Sequence, residues 1–151
     1  AMEKLPITIH DSHTLVLGFG RTGVTLTRML AAMGAHVTVI ARKPAQRARA
    51  FEMGVLSADF PELPALMPQA DIIFNTVPAL ILSRSLLEKA APEVLIIDLA
   101  STPGGTDFTA AQELGITAVL APGLPGRVAP KTAGVILARV IRRILLERLS
   151  S

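Results

Sequence analysis

Three glycines, Gly18, Gly20 and Gly23, stand in the string LVLGFGRTG, directly after an apolar run and directly before a helical pattern. In that setting their spacing has a mechanism. Gly18 permits a tight turn, Gly20 lets the backbone approach a pyrophosphate, and Gly23 lets the helix pack on the strand. Arg21 and Thr22 open the helix, whose free N–H groups and positive dipole end face the phosphates. The chemistry expected is dinucleotide binding, against the plainer alternative of a glycine-rich turn without a ligand.

An NAD site would place an acid at the end of the second strand, about twenty residues on. Between Asp11 and Glu52 the sequence holds no Asp or Glu. The strand runs instead into Ile40-Ala41-Arg42-Lys43, with Arg47 one helical turn further. A guanidinium can clamp a 2′-phosphate through paired charge-assisted hydrogen bonds, and an ammonium adds charge. This pattern reads as NADP. The alternatives are an ordinary solvated turn, or an arginine stacked on the adenine of either NADP or NAD.

The ends of later strands face the same crevice. Asn75-Thr76-Val77-Pro78 ends one of them, and Asn75, Thr76 and Pro78 are expected beside the nicotinamide ribose. Asp98-Leu99-Ala100-Ser101 ends the next, with Ala100 and Ser101 expected at the cofactor. Asp98 interrupts the apolar string VLIIDLA, so it either caps loop amides or touches cofactor or substrate. A Pro/Gly-rich loop at 121–130 leads to Lys131 and Thr132 at the start of a long helix. There Lys131 either anchors a carboxylate of a dicarboxylic substrate or is simply solvated. Lys131, Ser101 and Asp98 are the candidates for catalysis, because the chain has no Cys or Tyr and its histidines, His10, His13 and His36, all fall early. His10-Asp11-His13 has a metal-like composition but reads as surface polar residues, so no metal site is expected.

The elements that must position these residues alternate along the chain. Strands are expected at 14–17, 36–41, 55–57, 71–77, 94–99 and 117–120. Helices are expected at 21–33, 45–53, 83–90 and 106–114, with Thr106 as N-cap of the last, and at 131–149. Pro61, Pro64 and Pro68 limit the connection between the third and fourth strands to a turn or short helix. Strands apolar on both faces, alternating with helices, mean a covered parallel sheet. The fold class is α/β: a doubly wound, mostly parallel six-stranded sheet of Rossmann type. Residues 1–13 read as a lead-in and 14–151 as the dinucleotide-binding domain.

Composition narrows the function classes. With 151 residues, 50% of them hydrophobic and 18% charged, the chain reads as one folded domain rather than a disordered segment. No run of about 18 apolar residues is present, which excludes a membrane-spanning helix in the sequence. The opening residues do not resemble a secretion signal, so a cytoplasmic location is expected. The formal charge is +3, the basic residues are dispersed except for two groups, Arg42 to Arg49 and Arg139 to Arg148, and the chain has no Trp or Tyr, so nucleic acid is not an expected partner.

Two segments exceed what a generic nucleotide domain needs: DLASTPGGTDF at 98–108 and APGLPGRVAPKTAG at 121–134. Without any family in view, Gly104-Gly105 would let the backbone turn closely past a ligand. Together with GFGRTG and NTVP, the two segments resemble the C-terminal half of the dipicolinate synthase A-subunit family of spore-forming bacteria, from about Thr8 to the final helix. The resemblance implies an NAD(P)-binding domain that follows an N-terminal domain. It also implies work with a flavoprotein-like B subunit, forming dipicolinate from a dihydro- or tetrahydrodipicolinate precursor during sporulation in the mother-cell cytoplasm. These 151 residues hold no counterpart of that N-terminal domain, so the chain is expected to bind dinucleotide without turnover of its own. The apolar face of the last helix, from Leu137 to Leu149, would then cover the sheet and pack on the missing domain or on a second copy in a homo-oligomer.

Two rivals stand beside this reading. A D-2-hydroxyacid dehydrogenase shares the βα order but needs a histidine near the last loop, where Lys131 stands. A non-catalytic nucleotide sensor shares the glycine loop but usually keeps the acid after the second strand, and it needs no crevice lined by Ser101, Thr102 and Lys131.

Overall fold

The glycine loop and its flanking elements form as their residue types dictate. The computed structural model describes residues 9–121. Strand β1 (His13–Leu17) is followed by helix α1 (Arg21–Ala32), β2 (His36–Ile40), α2 (Pro44–Glu52) and β3 (Leu56–Ala58). A chain of short turns then leads through α3 (Leu63–Leu66) to β4 (Ile72–Asn75), α4 (Arg84–Leu87), β5 (Leu95–Asp98), α5 (Phe108–Glu113) and β6 (Thr117–Leu120). The prolines at 61, 64 and 68 each sit in the first two positions of a one-turn helix, where the missing N–H costs nothing. They divide what would be one helix into three short turns.

The six strands form one sheet in the order β3-β2-β1-β4-β5-β6, and every pairing is parallel. The register sets Ala58, Ile40, Leu17, Asn75, Asp98 and Leu120 in one row at the carboxyl ends of the strands. The chain lays β2 and β3 on one side of β1 and then crosses over to lay β4 on the other. The crevice at that reversal, between the exits of β1 and β4, is where such sheets receive ligands.

Alternation along the strands feeds two cores. Leu15, Leu17, Ile73 and Ile96 face one side, where Leu63, Met67, Leu82 and Leu87 cover them. Val16, Val37, Val39, Ile72 and Phe74 face the other, under Val24 and Leu30 of α1 and Ala50 of α2. Burying each such side chain contributes roughly 1.5–3 kcal/mol.

The strands and helices differ from the sequence expectation mainly at their ends. Strands β4 and β5 stop at Asn75 and Asp98, two and one residues early, and after β4 the residues Thr76 and Val77 already line the crevice. Helix α4 is one turn, not two, and α5 begins at Phe108. Its N-cap is Asp107, whose Oδ1 accepts from the Ala110 N–H at 2.9 Å, and not Thr106. The Thr106 hydroxyl is drawn away by a stronger, charged acceptor: it donates to Asp98 Oδ2 at 2.7 Å. The expected final helix and the loop before it lie outside the described residues. Among the described residues no helix is long and apolar enough to cross a membrane.

Candidate dinucleotide site

At the reversal point lies a cleft of about 670 Å³, walled by the exits of β1, β2 and β4 and by the turn after β3. Its glycines have distinct reasons for being glycine. Gly18 has φ +90, and a side chain there would also press within 2.7 Å of the Thr76 hydroxyl. A Cβ at Gly23 would collide with the carbonyl oxygen of Gly18, so this residue serves the close packing of α1 on the loop. Gly20 is different. Its φ of −81 suits any residue, and a Cβ there would meet nothing within 4 Å. Among the described residues nothing requires glycine at 20, whereas a phosphate lying against the backbone would. The cleft therefore fits a dinucleotide's pyrophosphate, held by the open end of α1, where Gly20 is the N-cap and no acid occupies the first turn.

Gly18, Gly20, Arg21 and Thr22 line the cleft from β1, Arg42 and Lys43 from β2, and Thr76 and Pro78 from β4. Among the described residues its lining carries three cations, Arg21, Arg42 and Lys43, and no carboxylate. Both Arg42 and Lys43 are exposed at the mouth. Thr76 is fixed from beneath, its hydroxyl donating to Leu17 O at 2.8 Å. Among the described residues no group of three or more His, Cys, Asp or Glu is placed to hold a metal ion. The histidines lie at the opposite ends of the strands, where His13 and His36 stack at 5.2 Å and His10 Nδ1 stands 3.0 Å from Asp11 Oδ2.

Four other expected site residues, Asn75, Asp98, Ala100 and Ser101, are not among the described residues that line the cleft. Asn75 is fully buried; its amide donates to Val77 O and to Asp98 Oδ1, each at 3.0 Å, and its Oδ1 accepts from the Val77 N–H. Asp98, also fully buried, accepts from Asn75, from the N–H groups of Ala100 and Gly105, and from the Thr106 hydroxyl. Four donors satisfy its charge, so of the two roles open to it the capping of loop amides is the one the structure shows. Ala100 is buried and Ser101, though exposed, does not line the cleft. The close approach at Gly105 is to the protein's own loop, where a Cβ would strike Asn75 Nδ2 and the carbonyls of Val77 and Ala79, and not to a ligand. Lys131 and Thr132 lie outside the described residues.

Sequence reasoning missed Gln46 and Phe60, which both line the cleft. Gln46 lies one helical turn after Arg42 and Lys43, a spacing that could have found it, and its Nε2 donates to Phe19 O at 3.2 Å. Phe60 comes from the turn after β3 and carries no motif. Arg47, expected to add to the phosphate-binding charge, turns instead to the protein: its Nη1 donates to the carbonyls of Ala41 and Arg42.

The comparisons agree with this geometry. The A subunit of dipicolinate synthase from Bacillus subtilis (strain 168) is 51% identical over 147 residues, covering 97% of this chain and 50% of that protein. The crystal structure of this B. subtilis protein superposes with a TM-score of 0.94, covering 97% of this chain and 49% of that one. Its counterpart from Bacillus halodurans gives 0.92 at 44% identity, covering 95% of this chain and 50% of that one. This chain therefore spans about half the length of these relatives. Apo D-lactate dehydrogenase from Escherichia coli, at 23% identity, shares the fold with a TM-score of 0.65 over 77% of this chain and 38% of that one. The model of the D-isomer specific 2-hydroxyacid dehydrogenase NAD binding domain matches residues 2–102. Across the glycine loop, the cationic mouth and the first five strands, the chain belongs to the family of D-isomer specific 2-hydroxyacid dehydrogenase NAD-binding domains.

Proposed function

We propose that this chain is the dinucleotide-binding half of a dipicolinate synthase of the A-subunit type, and that its cofactor is NADP. The observation that carries the reading is Gly20, whose open side faces a cleft lined, among the described residues, by three cations and no carboxylate. Gly18–Thr22 would hold the pyrophosphate, Arg42 and Lys43 the 2′-phosphate, and Thr76 and Pro78 the sugar nearer the nicotinamide. A bound nicotinamide supplies or accepts a hydride. This chain's own residues bind and orient the cofactor and exclude water from one wall of the cleft. A dicarboxylic precursor of dipicolinate would meet the nicotinamide in the company of an N-terminal half and of a flavoprotein-like B subunit. The 51% identity to the B. subtilis protein supports that assignment.

Titration of the chain with NADPH and NADH tests the cofactor, and tighter binding of NADPH is the expected result. Reconstitution tests the rest: no turnover of a dihydro- or tetrahydrodipicolinate precursor by this chain alone, and dipicolinate formed once the N-terminal half is restored and the B subunit is present. Dipicolinate from the 151-residue chain with NADP alone would overturn the division of labour. Family membership favours a second reading, oxidoreduction of a D-2-hydroxyacid, which NADH-linked reduction of a 2-oxoacid by this chain joined to an N-terminal half would reveal.

A further inference from the structure

Arg47 and Asp59 join two strand exits that the cleft uses together. Arg47 Nη1 donates to the carbonyl oxygens of Ala41 and Arg42 at 2.8 and 3.0 Å, and it stands 3.2 Å from Asp59 Oδ2. Asp59 follows β3. Its Oδ1 accepts from the Phe60 N–H at 2.7 Å, and its own N–H donates to Glu62 Oε1 at 2.8 Å. One side chain of α2 thus grips the exit of β2, and one carboxylate holds both that side chain and the turn bearing Phe60. The Arg47 and Asp59 side chains are 27% and 36% exposed, so water competes only in part for these contacts. With its own carbonyl and its neighbour's held, Arg42 leaves the backbone in a fixed direction, toward the cleft that it lines with Lys43 and Phe60.

We infer that Arg47 and Asp59 are positioning residues for cofactor selectivity. The pair sets the β2 exit so that Arg42 and Lys43 meet the ribose 2′ position, and neither member touches the ligand. This rests on the NADP reading above.

The test is the preference for NADPH over NADH in the full chain, for Arg47→Met, Asp59→Asn and the double variant. Titration at about 0.5 M salt, where the Debye length falls to roughly 4 Å, removes the bare long-range effect of a changed charge. Asparagine at 59 keeps the acceptor for the Phe60 N–H and removes the ion pair. The preference is expected to fall roughly tenfold in Arg47→Met and roughly threefold in Asp59→Asn, with no further fall in the double variant because one device is lost. A merely structural pair would change the melting temperature and leave the ratio alone. Should Arg47→Met not fold, Arg47→Lys, which keeps the charge and loses the planar guanidinium, is expected to lose preference as well. A preference unchanged in the variants would overturn the inference and leave the NADP reading standing. A preference raised by Asp59→Asn would overturn it too, since that is the result for an Arg47 that binds phosphate once released. A wild-type chain that favours neither dinucleotide would remove the reading and the inference together.

Discussion

At Gly20 the usual reasons for glycine are absent, and that makes it the most informative residue of the loop. Its backbone angles are ordinary and its Cβ direction is open. Gly20→Ala is therefore expected to lower the melting temperature of the free protein by only a few degrees, because alanine in place of glycine at an N-cap costs about 1 kcal/mol or less. Calorimetric titration should show dinucleotide affinity sharply reduced, since the methyl group occupies the place of the pyrophosphate. Gly23→Ala is the control that fails differently: its Cβ strikes the Gly18 carbonyl, so the fold itself suffers. At the mouth, Arg42→Asp should cost NADPH roughly 1.5–3 kcal/mol, the worth of a charge-assisted hydrogen bond, and should spare NADH. Parallel titrations with the two cofactors read the difference directly; equal losses would remove Arg42 from the 2′ position.

Among the elements, the turn between β5 and α5 depends on one buried carboxylate. Asp98 gathers four donors from β4, from its own loop and from Thr106. Asp98→Asn replaces one acceptor oxygen with a donor that faces other donors, and a loss of about 2–4 kcal/mol is expected in a urea melt. How much was legible beforehand follows the same physics. The strand-helix alternation, the glycine loop and the cationic β2 exit were readable because each is a local pattern with a local cause. Asn75 and Asp98 were readable as residues at strand ends but not as partners, since the bond between them depends on a register that pairs β4 with β5. Arg47 shares its sequence neighbourhood with Arg42 yet faces the protein, because Asp59, twelve residues on, arrives beside it only when β3 pairs with β2. Phe60 reaches the cleft by the same pairing. Spacing within one element was visible in the sequence, and meetings between elements were not.

On the scale of the whole chain, the site is one level row of strand exits, and no two of its walls are neighbours in sequence. The described residues of the cleft span positions 18 to 81, so it exists only when β1, β2, β3 and β4 are all in place. Ligand should then act as a global stabiliser. At a concentration of about 100 times Kd, NADPH should add roughly 2.7 kcal/mol to unfolding, read as a rise in melting temperature. The sheet's uniform direction has a kinetic side as well. No pair of its strands can close as a hairpin; each pairing waits for a crossover to be threaded, so local contacts give little early reward. The cleft should be among the last features to form and absent from the folding transition state. Saturating dinucleotide should therefore slow unfolding in a stopped-flow experiment and leave the refolding rate almost untouched. In a cell, the cofactor would lengthen the life of finished molecules without hastening the making of new ones.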